Sequence, residues 1–393
     1  MERGTGGEVK GTELITHPFN QFNPLTESNM KPQTKIEIEN QIRTLRDALQ
    51  DVLEISAVYH TKREIFIQGR IYSDLYSLNA YPDWKRIITD RLSSLGFSVN
   101  FEENENQVVL HIIRPGYKSG EVFPWTNLVL FFLTVLTTLA AGAMMEGKNI
   151  FSDPFLILKG WSFAVPLLSI LLCHEFGHYI ESRINGIKVS LPYFIPGPTI
   201  LGTFGAVIRS KSPFKNRKNL LDVGAAGPIA GFVVAVIVVI LGLSYSQVVA
   251  KVPQGGISLG DSLIFKLLSF LVLKKIPEGH DVLLSPTAFA GWAGILVTML
   301  NLLPIGQLDG GHIIYALLGK MQKKIALVAV LVLIPLGIFL WEGWLVWVVL
   351  ILIIKLGHPP TLNDQIPLDF KRKIIGWTAM FIFILSFTPV PIK

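Results

Sequence analysis

The chain has 393 residues; 50% are hydrophobic and only 16% charged, against about 25% charged in an ordinary soluble protein. The charge is uneven, since 30 of the first 120 residues are Lys, Arg, Asp or Glu but only 34 of the remaining 273. A single soluble globule is therefore excluded, and a small soluble domain followed by a membrane domain is expected.

The net charge of +6 divides into −2 for the first 120 residues and +8 for the rest. A nucleic-acid binder would concentrate basic residues on its soluble part, so no nucleic-acid partner is expected. One cysteine, Cys173, excludes an internal disulfide framework and a cysteine-based zinc cluster. Residues 1–33 are polar and rich in Gly, Asn and Thr, and are expected to be disordered. Glu2, Glu8, Glu13 and Glu27 in that stretch argue against a transit peptide, and no signal peptide is read.

A soluble α/β domain is expected over 34–115. Ile36, Ile42, Leu45, Leu49, Val52 and Leu53 recur at helical spacing. Two β-like runs follow, 55–60 and 64–70, then an amphipathic helix over 83–95 stopped by Gly96. Residues 97–102 and 107–113 read as a hairpin. The order α-β-β-α-β-β predicts two layers. His60 and His111 stand alone in it, and no catalytic constellation is found.

Residues 122–393 read as the membrane domain. Charge-free runs cover 122–145, 223–250, 282–308 and 374–392, each near the length of about 20 residues that a bilayer requires. The run 160–184 is equally apolar but contains His174, Glu175 and His178. The run 325–354 is too long for one straight span and breaks at Trp341-Glu342-Gly343-Trp344. The expected fold is a polytopic α-helical membrane protein of 6–7 transmembrane helices in a lipid bilayer, with the α/β domain at its N-terminus. Residues 191–209 are apolar but broken by Pro192, Pro196, Pro198, Gly202 and Gly205, which fits a re-entrant hairpin. Its edge, at Gly202 and Gly205, would pair with an extended substrate strand.

Basic clusters set the orientation. Arg183, Lys188, Arg209, Lys211, Lys215, Arg217 and Lys218 follow the second span; Lys320, Lys323 and Lys324 follow the fourth; Lys371, Arg372 and Lys373 precede the last. Alternate counting puts all three on one side, taken as the cytosol together with the N-terminal domain and the opening of the site. The expected location is the plasma membrane. Lys251, Lys266, Lys274 and Lys275 sit on the opposite side, and 263–273 is read as lying along that interface.

His174-Glu175-Phe176-Gly177-His178 is an HExxH run on a predicted helix. Histidines at i and i+4 share a face and reach one zinc ion, while the glutamate between them can hold a water and take its proton. Ionisable side chains inside an apolar span are costly and usually functional. Cys173 is rotated about 100° from His174 and is read as packing. A catalytic zinc needs a third protein ligand. Asp309, which ends a charge-free run, is preferred, with His312 as its rival. By the alternate count, both the histidines and Asp309 lie toward the basic ends of their spans. Asp222 and Glu342 lie at span ends and need no functional explanation. Gly227-x-x-x-Gly231 permits close helix packing, with bending about Pro228 as the lesser reading.

HEFGH at 174–178 followed by Asn301-Leu302-Leu303-Pro304-Ile305-Gly306-Gln307-Leu308-Asp309-Gly310-Gly311-His312 resembles the site-2 protease family of intramembrane zinc metalloproteases. Leu191-Pro192-Tyr193-Phe194-Ile195-Pro196, Gly202-Thr203-Phe204-Gly205-Ala206, Ala226-Gly227-Pro228-Ile229-Ala230-Gly231 and Gly357-His358-Pro359-Pro360-Thr361-Leu362-Asn363-Asp364 resemble its EGY-type branch. The resemblance covers about 161–364. It implies one Zn2+ per chain held by His174, His178 and Asp309, with Glu175 as general base. It also implies that Asn301, on the same helix as Asp309, helps to bind substrate or the developing oxyanion; an interhelical hydrogen bond is the plainer role for that residue. The implied activity is hydrolysis of peptide bonds within or near transmembrane segments, with single-pass membrane proteins as substrates. A metal or proton transporter and an inactive protease-like scaffold are the alternatives.

Overall fold

The computed structural model describes residues 32–60, 64–72, 83–104, 107–114, 124–210, 212–250, 258–274, 276–354 and 356–392. The tail expected to be disordered lies almost wholly outside them. The chain divides into two units, Met1–Glu121 and Val122–Lys393.

In the first unit the elements come in the expected order: α1 (Pro32–Leu49), β1 (Leu53–His60), β2 (Glu64–Ile71), α2 (Asp83–Ser94), β3 (Ser98–Asn104) and β4 (Gln107–Ile113). The strands form one antiparallel sheet in the order β1-β2-β4-β3, with Ile67 opposite Leu110 at its centre. Alternation along β4 buries Val108, Leu110 and Ile112 in one core with Leu45 and Leu49 of α1 and Trp84, Ile88 and Leu92 of α2. The Arg91 guanidinium donates to both carboxylate oxygens of Asp51, at 2.5 and 2.8 Å, joining the end of α2 to the end of α1. His111 is not isolated: its ring stacks on Phe66 at 4.6 Å, and its Nε2 faces Glu64 at 3.2 Å.

The second unit is mainly helical: α3 (Trp125–Met145), a 3-10 turn (Pro154–Gly160), α4 (Trp161–Ile184), α5 (Arg217–Ser244), α6 (Leu263–Leu273), α7 (Pro286–Asn301), α8 (Asp309–Leu318), a 3-10 turn (Gly319–Met321), α9 (Gln322–Phe339), α10 (Gly343–Ile354) and α11 (Phe370–Ser386). Two small antiparallel pairs accompany them, β5 (Tyr193–Pro196) with β6 (Thr203–Val207) and β7 (Gln247–Ala250) with β8 (His280–Leu283). Among the described residues, four helical segments are long and apolar enough to cross a membrane: Trp125–Met145, Pro154–Ile184, Arg217–Ser244 and Asp309–Phe339. They expose rows of large apolar side chains, such as Phe132 and Leu136 on α3 and Val233, Ile237 and Leu241 on α5, as surfaces facing lipid do.

Two boundaries differ from the sequence reading. The run 282–308 is not one helix. It opens in strand β8, is helical only over α7, and turns through 302–308 before α8 starts afresh at Asp309. Pro304 lacks the N–H to continue a helix, and Gly306 takes φ +54, which an L side chain resists. Residues 325–354 do break where expected, between α9 and α10.

The proline-broken stretch 191–209 forms the hairpin β5–β6. Asn127 of α3 donates to the carbonyls of Leu191 and Pro192 at 2.8 and 2.9 Å, and β6 also meets α4. On α6, Phe265 and Leu268 are buried while Leu263, Leu267, Phe270 and Leu271 are exposed, a two-faced helix of the kind that lies along an interface. Arg372 of α11 forks onto Asp222 of α5, with Nε and Nη2 at 2.8 and 2.7 Å.

Leu110 is fully buried in a central strand, so Leu110→Ala should cost the N-terminal unit about 2–5 kcal/mol. Urea titration followed by hydrogen exchange of β2 measures this, and an unshifted midpoint would refute the core described.

Candidate metal centre

The triangle is built on two helices, and a third, α5, packs against both. α4 presents His174 and His178 one turn apart, and Asp309 is the first residue of α8. Their ligand atoms meet. His174 Nε2 and His178 Nε2 lie 3.2 Å apart, and Asp309 Oδ2 is 3.2 Å from the first and 3.3 Å from the second. Among the described residues this is the group of three or more His, Cys, Asp or Glu side chains that could hold a metal ion.

The spacing suits a particular ion. A tetrahedral zinc with ligands at 2.0–2.1 Å separates neighbouring ligand atoms by about 3.3–3.4 Å, close to all three edges seen. The protonation pattern agrees. His178 Nδ1 lies 2.7 Å from the Val223 carbonyl of α5, which can only accept, so Nδ1 carries the proton and Nε2 turns its lone pair inward. A lone pair facing a carboxylate oxygen at 3.3 Å is repulsive unless a cation or a proton sits between them. Two imidazoles and a carboxylate also match the ligand types of catalytic zinc sites, which leave one position open.

The helices come this close because α5 lacks side chains where they cross it. A Cβ on Gly227 would overlap the His178 ring, and one on Gly231 would lie 3.0 Å from the Cβ of His174. A Cβ on Gly177 of α4 would press against the Ala226 carbonyl at 2.8 Å. Gly224, one turn earlier on α5, lies against the Cβ of His312 and the Asp309 carbonyl. The Gly227–Gly231 pair therefore does more than permit helix packing, because it seats the two histidines.

The other expected residues fall as follows. Glu175 is 5% exposed, on the same turn as His174, within electrostatic range of His174, His178 and Asp309. Asn301 brings its amide nitrogen to 3.2 Å from His174 Nε2. It is the last residue of α7, however, and Asp309 the first of α8, so the two are not on one helix as expected; the turn at Pro304 and Gly306 separates them. His312, the rival ligand, points Nδ1 at His358 Nε2, 2.7 Å away, and is not part of the triangle. Gly202 and Gly205 lie in the β5–β6 hairpin and are not part of the triangle; Gly202 adopts φ +73 where a Cβ would overlap the Thr137 carbonyl of α3. Cys173 is exposed and belongs to no metal group among the described residues.

Sequence reasoning did not anticipate the Val223 carbonyl, the glycine seats or the His312–His358 pair. The signal for the last was a histidine within a short polar break, 356–364, between two apolar helices.

Residues 162–340 match the family model of peptidase family M50. The chain is 31% identical over 268 residues to the probable zinc metalloprotease EGY2, chloroplastic, of Arabidopsis thaliana, covering 67% of this chain and 48% of that protein. It is 31% identical over 294 residues to the probable zinc metalloprotease EGY1, chloroplastic, of the same plant, covering 67% and 52%. It is 28% identical over 301 residues to the probable zinc metalloprotease EGY3, chloroplastic, of Oryza sativa subsp. indica, covering 68% and 48%. No solved structure matches. These matches bear out the resemblance to the site-2 protease family and its EGY-type branch, and the chain spans about half the length of the curated relatives it matches.

They also correct one expectation. The relatives are named chloroplastic, which points to a plastid membrane and not to the plasma membrane. The plasma-membrane reading leaned on the acidic, polar first residues, and the start of a chain covering half of its relatives carries no such information. The assignment of the basic side to the cytosol falls with it.

Gly227→Ala should lower the affinity for a divalent metal at least tenfold, read by chelator competition, because the new methyl displaces His178. On helix propensity alone the same change would stabilise the chain by about 0.5–1 kcal/mol, so unchanged metal affinity with a raised melting temperature would refute the seat.

Proposed function

We propose that this chain is an intramembrane zinc metalloprotease that hydrolyses peptide bonds within or near the transmembrane segments of membrane proteins. One observation carries the reading: two imidazole nitrogens and a carboxylate oxygen from separate apolar helices, 3.2–3.3 Å apart. The family match and the names of the relatives support it, and nothing in them favours a transporter or an inactive scaffold.

His174, His178 and Asp309 would hold one Zn2+. When bound there, zinc supplies a Lewis acid and lowers the pKa of water. The protein's part is positioning and proton handling. The Val223 carbonyl holds the His178 ring with its lone pair inward. Glu175, buried beside the triangle, would hold the attacking water and take its proton as general base. Asn301, its amide at the His174 corner, would donate to the substrate carbonyl as negative charge develops on it.

The β5–β6 hairpin adjoins α4, and its tip exposes Ile200 and Phe204. In this reading it is re-entrant, and a substrate unwound from its helix pairs with its edge near Gly202 and Gly205. Single-pass membrane proteins are the proposed substrates, since one helix can enter and unwind with few other contacts to break. α7, α10 and α11, shorter than a straight span requires, would complete six or seven spans with the four long segments. Residues 34–115 would be a soluble domain, and residues 122–393 the protease domain.

Purified wild type and Glu175→Gln, reconstituted with a single-pass peptide, test this. Both should hold one zinc per chain, while the variant loses cleavage by about 10²–10⁴-fold; Asp309→Ala should lose the zinc. Zinc binding without cleavage of a broad substrate panel, or metal-dependent ion flux without proteolysis, would sink the reading.

A further inference from the structure

The helix that carries Asp309 begins without a cap of its own. Leu308 is its N-cap residue and supplies no side-chain hydrogen bond, although the first turn of a helix has backbone donors to satisfy. A side-chain contact to that turn, at His312, comes from far along the chain. Residues 356–364 cross it as a strap, bonded at both ends.

At one end, the Leu356 carbonyl accepts from the Gly306 N–H at 3.0 Å and from Gln322 Nε2 at 3.1 Å. Gly306 belongs to the turn between Asn301 and Asp309, and Gln322 is 1% exposed at the start of α9. At the other end, the N–H groups of Leu362 and Asn363 donate to the carbonyls of Phe214 and Lys215, each at 2.9 Å, just before α5.

Between these anchors lies His358. Its backbone N–H donates to Gln322 Oε1 at 3.0 Å, its ring lies 4.6 Å from that of Tyr315, and its Nε2 shares a hydrogen bond with His312 Nδ1 at 2.7 Å. Tyr315 in turn donates to Asp364 Oδ2 at 2.5 Å. Asp309, His312 and Tyr315 recur at intervals of three, so they follow one another along one side of α8.

Resting on the zinc-protease reading above, we propose that the strap 356–364 positions Asp309 for the metal, with His358 as the positioning residue acting through His312. His358 touches none of the three ligand atoms among the contacts of the described residues. Its effect is to fix the rotation and height of the first turn of α8, and so the place of the carboxylate. Groups that orient metal ligands from outside the coordination sphere typically change metal affinity or activity 10–100-fold when removed.

The test compares His358→Phe with His358→Gln in the full-length chain. Phenylalanine keeps a ring against Tyr315 and loses the hydrogen bond; glutamine loses the ring and can restore the bond. The Phe variant should melt with the wild type, bind zinc at least tenfold more weakly in chelator competition, and lose kcat with KM little changed. The Gln variant should recover zinc affinity to within about threefold of wild type. Wild-type zinc affinity in the Phe variant, or equal losses in both variants, would overturn the proposal, as would a role limited to folding, which would move the melting temperature and leave zinc affinity alone.

Should the Phe variant not fold, the wild type alone decides. Zinc loading should slow hydrogen exchange at Leu362 and Asn363, because a strap that favours the metal-ready Asp309 must itself be favoured by the metal; unchanged exchange would overturn the proposal. A wild type that takes up no zinc overturns this inference and the protease reading together. Zinc uptake and cleavage that ignore His358 overturn this inference alone.

Discussion

The site depends on how closely two helices, α4 and α8, can approach one face of α5. That face carries Gly224, Gly227 and Gly231, and each is a place where another residue of the site rests: His312 with the Asp309 backbone, the His178 ring and the His174 side chain. The Val223 carbonyl on the same helix fixes the tautomer of His178. A helix with side chains at these points would keep α4 and α8 apart, and two imidazoles and a carboxylate could not come within 3.3 Å of one another. Apolar side chains gain little by associating in lipid, where contact between small residues governs how near two backbones come.

The surrounding structure resists the cost of polar groups in such a place. An ionisable residue at the centre of a spanning helix costs roughly 2.5–3.5 kcal/mol on insertion scales, and here several lie within one small volume. Several are given partners: Asn301 meets His174, the Val223 carbonyl takes the Nδ1 proton of His178, and the strap closes over His312. The hairpin β5–β6 is treated similarly, its proline-broken backbone held by Asn127 and by its own strand pairing. Arg372 gathers Asp222 and Asp369 where α11 meets α5. Asp222 thus has a structural partner, in line with the reading that it needs no functional one.

Much of this was legible in the sequence, for physical reasons that differ by region. In the N-terminal unit, Leu45 and Leu49 at helical spacing and Val108, Leu110 and Ile112 at strand spacing each mark one buried face, so periodicity gives the elements directly. In the membrane unit every apolar run contains a helix, but hydropathy does not mark where backbone hydrogen bonding ends. That is why 282–308 looked continuous although Pro304 and Gly306 bend it out of helix, and why Asn301 and Asp309 seemed to share one. The HExxH run was legible because both histidines lie on one helix, where spacing alone sets their geometry. Asp309 was legible as a charge at membrane depth. The seats on α5 and the His312–His358 bond were not, since they join elements whose nearness is decided only by packing.

The separation of the triangle's three groups along the polypeptide has a consequence for biogenesis. His178 and Asp309 are 131 residues apart, and His358 lies 46 beyond His312. At a translation rate of roughly 5–20 residues per second, the histidines leave the ribosome about 7–26 s before the carboxylate that joins them. During that interval the nascent chain carries a bare pair of imidazoles on an inserted helix. The triangle can close only after α8 has been made, so the newborn protein passes through a stage in which its candidate metal site lacks the carboxylate.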